Sequence, residues 1–285
     1  MARQANVASS RELLRLAIAG RTKLINYIST LGVFTPTTHG TPRRVEEATS
    51  IDQERHSTAS GYLASKWVAE KIFLTANDRG IPCNIFRLGF IWADTEQGRY
   101  DELQREYRVV KSCLLSGYGI KAYRYAMAPT PVDYAARAIV ALARRHAEGH
   151  GVFHISCSSN EVNAGVFETC NRIADLSLKL IERAEWIERI KQIDDERRPM
   201  PIVPLIDSAS FEDQSKTTLW FDASRTRHEL EREGIVEPPF TERALRVFLE
   251  AMYRRDSDLQ AQDRFEKRPL QDAFTSPAPA VSQPT

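Results

Sequence analysis

The sequence predicts an α/β protein organised around a parallel β-sheet, and two patterns support this prediction. Short segments rich in β-forming residues alternate with longer segments of helical periodicity. The strand-like segments are nearly continuous apolar runs, as in strands buried on both faces. The chain has 285 residues, of which 42% are apolar, so it can bury the core of one large or two modest domains.

The first 160 residues contain the predicted sheet. Its elements are a helix at residues 7–20, a strand at 23–30, a long polar loop at 35–59, a helix at 61–79, a strand at 83–89, helices near 103–115 and at 132–145, and a strand at 152–156. The helix at 61–79 has the clearest pattern, because Leu63, Trp67 and Ile72 lie on its apolar faces, while Gly80 and Pro82 close it. Helices between consecutive strands indicate parallel βα units.

The rest of the chain has a different pattern, with no further strand predicted. The segments expected to have regular conformation are helices at 166–174, 182–193 and 241–254 and an extended stretch at 199–204. The resulting divisions are a sheet-containing domain at 1–160, a smaller, mainly helical substrate-facing lobe at 161–254 and a polar, proline-rich disordered tail at 255–285.

Charge and cysteine usage exclude several classes of protein. Lys and Arg number 39 against 38 Asp and Glu, a net charge of +1, so we expect no nucleic-acid or membrane partner. No apolar run reaches the roughly 18 residues of a membrane span, and charged residues such as Arg11 and Arg15 interrupt any leader-like segment. The four cysteines are scattered, which favours reduced thiols and a cytoplasmic location.

Tyr62 and Lys66 are the strongest candidates for chemistry. Their i, i+4 spacing at the start of the clearest helix puts phenol and ammonium on one helical face, with Cβ atoms about 5–6 Å apart. A neighbouring cation favours tyrosinate, and a tyrosine with a lowered pKa suits proton transfer in carbonyl reduction or alcohol oxidation. The pattern is short, so an ordinary surface pair is the alternative. It recurs at Tyr107 and Lys111, which we predict to lie on a solvated helix face.

Ser29 and Thr30 end the strand that precedes this helix. The carboxyl ends of parallel strands are where such sheets present functional groups. A hydroxyl there can hydrogen-bond a substrate carbonyl beside Tyr62, or it can satisfy neighbouring backbone. From local sequence both interpretations stay open.

Other candidates are weaker. The G-x-G-x-x-A pattern that starts at Gly117 follows a helix instead of a strand, so a dinucleotide turn is not expected there. His146 and His150 lie at a basic helix end with no third ligand nearby, which favours a solvated helix terminus over a metal site. His154 alternates within a strand and is predicted to be buried and hydrogen-bonded.

Residues 60–70, Ser-Gly-Tyr-Leu-Ala-Ser-Lys-Trp-Val-Ala-Glu, resemble the extended short-chain dehydrogenase/reductases. More narrowly, they resemble the thioester reductase domains of nonribosomal peptide synthetases, carboxylic acid reductases and aminoadipate reductases. Further stretches that fit this subfamily in order are residues 6–17, 27–33, 80–89, 130–139, 152–155, 185–186 and 221–230. The resemblance covers roughly residues 3 to 254, although Leu88 stands where the family usually has proline.

The resemblance implies a role for each matching residue. Tyr62 would donate a proton to the substrate oxygen, and Lys66 would hold the nicotinamide ribose and lower the pKa of Tyr62. Thr30 would polarise the carbonyl, with Ser29 as its neighbour. The segment Arg87, Leu88 and Gly89 would flank the cofactor. The implied reaction is NADPH-dependent reduction of an acyl or peptidyl thioester on a phosphopantetheine carrier protein, giving an aldehyde or an alcohol.

One feature of the family has no counterpart in these residues. Family members start with a strand and a Gly-rich turn that seats the pyrophosphate at a helix N-terminus, and no such turn occurs in the 285 residues. The resemblance therefore implies a partial Rossmann-type sheet, with the Gly-rich half possible in trans and NADPH binding expected to be weak. A non-catalytic remnant or carrier-binding module is the rival reading, and an epimerase or dehydratase of the same superfamily is a nearer alternative.

Overall fold

The computed structural model of the chain describes residues 3–35, 43–54, 61–125, 127–160, 162, 165–195, 199–206 and 219–263. The chain forms two compact units, each assembled from separate stretches. Unit 1 comprises Met1–Trp92, Tyr125–Asn160 and Glu212–Pro239, and unit 2 comprises Ala93–Arg124, Glu161–Phe211 and Phe240–Thr285. The boundary predicted at residue 160 falls at one of the breaks between the units, and the chain returns to unit 1 at residue 212.

Helices and strands alternate through much of the chain. The helices are α1 (Ser9–Ile18, preceded by a π-helical turn at Arg3–Ala8), α2 (Gly61–Asp78), α3 (Arg105–Ser116), α4 (Val132–Arg145), α5 (Val166–Ile173), α6 (Arg183–Ile193), α7 (Val203–Ile206), α8 (Ser224–Glu231), α9 (Glu242–Arg255) and α10 (Ser257–Asp263). The strands are β1 (Ile25–Thr30), β2 (Arg43–Val45), β3 (Cys83–Leu88), β4 (Ile91–Trp92), β5 (Tyr118–Ile120), β6 (Thr130–Pro131), β7 (Val152–Ile155), β8 (Lys179–Ile181) and β9 (Leu219–Phe221).

The main sheet of unit 1 confirms the predicted fold class. It has three strands in the order β1-β3-β7, all parallel. The register places Ser29 opposite Arg87 and Arg87 opposite His154. One row of polar residues therefore crosses all three strands, one position before the carboxyl end of each.

Helices cover this sheet on two faces. On one face Phe73 and Ala76 of α2 pack with Cys83 and Ile85 of β3. On the other, α4 packs its buried residues, Tyr134, Ala135, Ala138 and Leu142, against Phe86 and Phe153 of the sheet. Each large apolar side chain removed from water stabilises the fold by roughly 1.5–3 kcal/mol. The core of unit 1 thus fixes α2, which carries Tyr62 and Lys66, against the sheet.

Short strands were missed by the sequence prediction. The segment predicted as a loop contains β2, which pairs in parallel with β9, and residues 36–42 and 55–60 of that loop lie outside the described residues. The expectation of no strand after residue 160 was wrong, because β8 and β9 lie there. Strands of three residues carry too little alternation to be recognised, and their pairing partners are distant in sequence.

Unit 2 is mainly helical around a small parallel pair, β5 and β8. Trp186 of α6 is fully buried, and its indole Nε1 donates to the Tyr118 carbonyl at 3.0 Å. Two expectations were wrong here: α7 occupies part of the stretch predicted as extended, and α10 occupies the start of the predicted tail. Leu259 of α10 is fully buried, which explains why this segment folds. Residues 264–285 lie outside the described residues.

The Tyr107–Lys111 pair does not lie on a solvated face. Tyr107 is 5% exposed and its hydroxyl donates to Asp256 at 2.7 Å, and the Lys111 ammonium lies 2.7 Å from carboxylates of both Asp256 and Asp258. The prediction was wrong because α10 packs against α3, a contact that local periodicity does not reveal. Among the described residues, no helix is both long and apolar enough to cross a bilayer.

Candidate active site

Thr30, Tyr62 and Lys66 lie on two elements, β1 and α2, that approach each other near the carboxyl end of β1. Thr30 is the last residue of that strand, and its Oγ1 accepts a hydrogen bond from the Gly32 backbone N–H at 3.2 Å. The turn that follows packs against α2, since a Cβ added to Gly32 would lie only 2.7 Å from the Leu63 side chain. The chain neighbour of Leu63 is Tyr62, so α2 begins its first turn beside the end of β1.

Lys66 reaches back to the same strand. Its Nζ donates to the Ile28 carbonyl at 2.8 Å and lies 5.1 Å from the centre of the Tyr27 ring, a cation–π distance. The ammonium is therefore held two residues before Thr30. Tyr62, one helical turn earlier on the same face of α2, exposes 52% of its area. The structure thus places the Thr30 hydroxyl and the Lys66 ammonium near one strand end, with the first turn of α2, which carries Tyr62, beside them. That the three groups act together stays a prediction.

The pKa values of this pair differ from the expectation. Partial burial raises the pKa of Tyr62 above its ordinary value and lowers that of Lys66. The expected lowering of the Tyr62 pKa by Lys66 is not found, because loss of solvation disfavours phenolate and the ammonium is bound to a carbonyl. A phenol that stays protonated at neutral pH is suited to giving a proton, the direction needed for reduction.

A hydrogen-bond chain holds the first turn of α2. Asn6 donates through Nδ2 to the Ser65 hydroxyl at 2.8 Å, and that hydroxyl donates to the Tyr62 carbonyl at 2.7 Å. The backbone of Tyr62 is thereby tied to the turn before α1. Asn6 belongs to a stretch that matched the family pattern, but its hydrogen bond could not be read from the sequence.

Ser29 does not present a free hydroxyl at the site. It is 3% exposed, and its Oγ donates to a carboxylate oxygen of Glu70. The same carboxylate receives Arg87, whose Nε and Nη2 lie 2.9 and 2.8 Å from Oε1. Sequence reasoning overlooked Glu70, although a charged residue on the apolar side of α2, four positions after Lys66, was a usable signal.

Arg87 was predicted to contact the cofactor, and its side chain is 2% exposed. Besides Glu70, its Nη1 contacts the Glu47 carbonyl at 3.2 Å and His154 Nε2 at 3.3 Å, and the guanidinium lies 4.8 Å from the Phe34 ring centre. The structure therefore places the Arg87 side chain within the protein core. Its predicted contribution to cofactor binding stays a prediction.

Leu88 ends β3, and Gly89 follows it beside the end of β7. The Gly89 N–H donates to the Ile155 carbonyl at 2.9 Å. A Cβ at this position would lie 2.8 Å from the Ser156 side chain, so only glycine allows the two strand ends to approach this closely. Leu88 packs its side chain against the α4 side of the core.

The histidines and the Gly117 pattern have structural roles. His154 is fully buried, and its Nδ1 lies 2.9 Å from the Asp222 carbonyl, which confirms the predicted buried histidine. His146 is partly buried and its Nε2 lies 2.7 Å from Glu229, so the solvated terminus predicted there was wrong for this residue. Gly117 caps α3 with φ of 74°. The described residues hold no cluster of three metal-ligating side chains.

The groups present fit one part of a nicotinamide dinucleotide. An ammonium and a half-exposed phenol at a parallel strand end can hydrogen-bond a ribose. The pyrophosphate needs a row of backbone N–H groups at a helix N-terminus, and the sequence has no Gly-rich turn to supply it. The fit therefore covers the nicotinamide and ribose end.

A parallel sheet with Thr, Tyr and Lys at one strand end defines a protein of the short-chain dehydrogenase/reductase class. The model of an NAD-binding family described as Male sterility protein matches residues 1–139. This match and the relatives below support a thioester reductase of the extended short-chain dehydrogenase/reductase superfamily.

Three known proteins show the extent of the similarity. The nonribosomal peptide synthetase cpsA of Aspergillus campestris is 26% identical over 258 residues, 85% of this chain and 25% of cpsA. The terminal R domain from the myxalamid PKS-NRPS pathway superposes with a TM-score of 0.75 at 25% identity, over 89% of this chain and 64% of that domain. A thiolation-reductase di-domain from an archaeal non-ribosomal peptide synthetase shares the fold, with a TM-score of 0.67 at 19% identity, over 89% and 53%. The chain therefore spans a quarter of cpsA and less than two thirds of the solved reductase domain.

Proposed function

We propose that this chain is the catalytic and substrate-facing part of an NADPH-dependent reductase of carrier-bound thioesters. The observation that supports the proposal most directly is the group of Thr30, Tyr62 and Lys66 at the end of β1, with the ammonium on the Ile28 carbonyl. When bound, the reduced nicotinamide supplies the hydride. The Thr30 hydroxyl donates to the carbonyl oxygen of the thioester, and Tyr62 gives a proton to the oxygen that becomes negative. The C–S bond of the resulting thiohemiacetal then breaks, which releases the aldehyde and the phosphopantetheine thiol, and the thiol takes up the hydroxyl proton. A second hydride and a second proton would give an alcohol.

The proposed substrate is an acyl or peptidyl group held as a phosphopantetheine thioester on a carrier protein. The support for this substrate comes from the domains found beside related reductases. One relative is a nonribosomal peptide synthetase, and one solved structure contains a thiolation domain joined to a reductase domain. The four cysteines are free and buried, which suits the cytoplasm.

The proposal includes a partner segment that carries the pyrophosphate turn. Within the described residues β1 pairs with β3 on one side and has no strand on the other. Ile28 is 37% exposed there, and α1 exposes Leu13, Leu16 and Ile18 by 47%, 59% and 54%. An open strand edge beside apolar side chains fits a further βα unit. We propose that a nucleotide-binding α/β half, in trans or joined in frame, pairs with β1.

The experiment measures NADPH oxidation with an acyl carrier thioester. The chain is assayed alone and with the N-terminal half of a related reductase domain, either added or fused. We expect weak NADPH binding by the chain alone and turnover when the half is supplied. Tyr62→Phe should then lower the rate by on the order of 10²–10⁴, since it removes the proton donor.

Tyr27→Phe is the matched control. It removes a nearby buried hydroxyl for which the described residues offer no hydrogen-bond partner, and it keeps the ring under Lys66. Unchanged turnover in Tyr62→Phe would show that another group transfers the proton. If NADPH is oxidised in none of these assays although the chain is folded, the result would support the non-catalytic remnant. Isomerisation or dehydration of a substrate without NADPH consumption would support the epimerase or dehydratase.

A further inference from the structure

The buried carboxylate of Glu70 lies where α2, β1 and β3 meet. Glu70 is fully buried and Arg87 is 2% exposed, so both charges are removed from water. Desolvating two such ions costs several kcal/mol per ion, which their attraction repays only with good geometry and further hydrogen bonds. Apolar residues of similar volume would fill this space at no such cost. The presence of the pair therefore calls for an explanation other than stability.

The contacts of Glu70 connect α2 to β1 and β3 at paired positions of the two strands. Its carboxylate receives the Ser29 hydroxyl from β1 and the Arg87 guanidinium from β3, and these two residues are register partners. Each lies one position before the last residue of its strand. The carboxylate thus locks α2 to the sheet immediately beneath the carboxyl edge.

The residues of α2 that face this edge share one side of the helix. Tyr62, Lys66 and Glu70 follow at i, i+4 and i+8, which turns each only about 40° from the last at 3.6 residues per turn. A rotation of α2 that released Glu70 would move the phenol and the ammonium in the same direction. Because Lys66 Nζ reaches Ile28 on β1, its position depends on how α2 sits against that strand.

We propose that Glu70 is a positioning residue: anchored to β1 and β3, it sets the rotation and height of α2 and so places Tyr62 and Lys66. The inference rests on the proposed function for its catalytic meaning, but the placement itself can be measured without turnover. The proposal also changes the expected role of Ser29. Its hydroxyl holds the Glu70 carboxylate and does not bind the substrate.

Competitive acetylation of lysines tests the placement. The full chain is treated with limiting acetic anhydride at fixed pH, and labelling of Lys66 is quantified by mass spectrometry relative to Lys121, whose side chain is 61% exposed. In Glu70→Gln and Ser29→Ala we expect Lys66 labelling to rise by about fivefold, the equivalent of one net hydrogen bond lost at the ammonium. Ser29→Ala leaves the Glu70–Arg87 ion pair intact, so it decides the matter if Glu70→Gln does not fold.

Thr226→Val is the matched control variant. Thr226 is 1% exposed and its hydroxyl donates to the buried carboxylate of Glu47, so the variant removes an equivalent hydrogen bond without touching Glu70. Lys66 labelling should stay at the wild-type level in this control. Wild-type labelling in Ser29→Ala, or an equal rise in Thr226→Val, would overturn the proposal and leave Glu70 as a purely structural group.

Turnover provides a second measurement where the wild-type enzyme is active. Because an error of about 1 Å in placement can cost on the order of 10²-fold in rate, Ser29→Ala should lower kcat by roughly tenfold or more with little change in the KM of the thioester. A matching loss in Thr226→Val would contradict a specific positioning role. If the wild-type chain supplied with the N-terminal half reduces no thioester, the proposed function fails, while the labelling result still decides whether Glu70 places Lys66.

Discussion

His154 should make unit 1 sensitive to acid. Burial, followed by the neighbouring Arg87 charge, lowers the pKa of this histidine to about 3. The ordinary value, which applies in the unfolded chain, is about 6.5. The surrounding groups agree with a neutral ring: an arginine can only donate, so Nε2 accepts from Arg87 while Nδ1–H donates to the Asp222 carbonyl. The rings of Phe34 and Phe221 lie 6.3 and 6.1 Å away, edge-on.

The direction of the effect follows from proton binding. Between pH 6.5 and pH 3 the unfolded chain takes up a proton at His154 that the folded chain excludes, so stability rises with pH and is lost as pH falls. The slope approaches about 1.4 kcal/mol per pH unit for one proton. From pH 6.5 to pH 4.5 the unfolded-state titration integrates to a loss of about 2 kcal/mol.

The variant His154→Asn keeps a donor for the Asp222 carbonyl and removes the titrating ring. Loss of the ring contacts should cost about 1–3 kcal/mol at neutral pH, yet the variant should lose less stability on acidification than the wild type. The assay is urea unfolding at pH values from 7.5 to 4.5, followed by fluorescence and circular dichroism. His150→Asn is the control, because His150 is exposed and its φ of 67° is one that asparagine tolerates. Parallel stability–pH curves for wild type and His154→Asn would show that His154 does not cause the loss of stability in acid.

Two further predictions concern unit 2. Gly98→Ala should destabilise the chain by about 3 kcal/mol or more, because φ is +63° and a Cβ would lie 2.8 Å from the Val247 carbonyl carbon. Gly117→Ala is the control: its φ is +74° but the space is open, so it should cost only about 1–2 kcal/mol in thermal or urea unfolding. Equal costs would contradict the predicted clash at residue 98. Tyr107→Phe should cost about 1–3 kcal/mol by leaving the buried Asp256 carboxylate without its hydroxyl donor. A cost near zero would show that this hydrogen bond contributes nothing to stability.

Local patterns in the sequence were sufficient for the elements that hold the site. The apolar run of β1, the apolar run of β3 and the helical pattern of α2 predicted a parallel βα unit, since each pattern extends over six or more residues. The i, i+4 spacing put Tyr62 and Lys66 on one helix face, and the end of a strand put Thr30 at the sheet edge. These inferences concern neighbours in sequence, where geometry follows from the period of the element.

Tertiary structure decided the features that depend on distant partners. The burial of Tyr107, the pairing of β2 with β9 and the contact of Ser29 with Glu70 join residues 41 to more than 170 positions apart. The same holds for the raised pKa of Tyr62, which reflects how much solvent the folded chain removes from the phenol. Local sequence patterns were enough to predict β1, α2 and β3 and showed which residue types are available for chemistry. Only packing determined which charges are buried, because desolvation depends on what covers a side chain and not on its place along the chain.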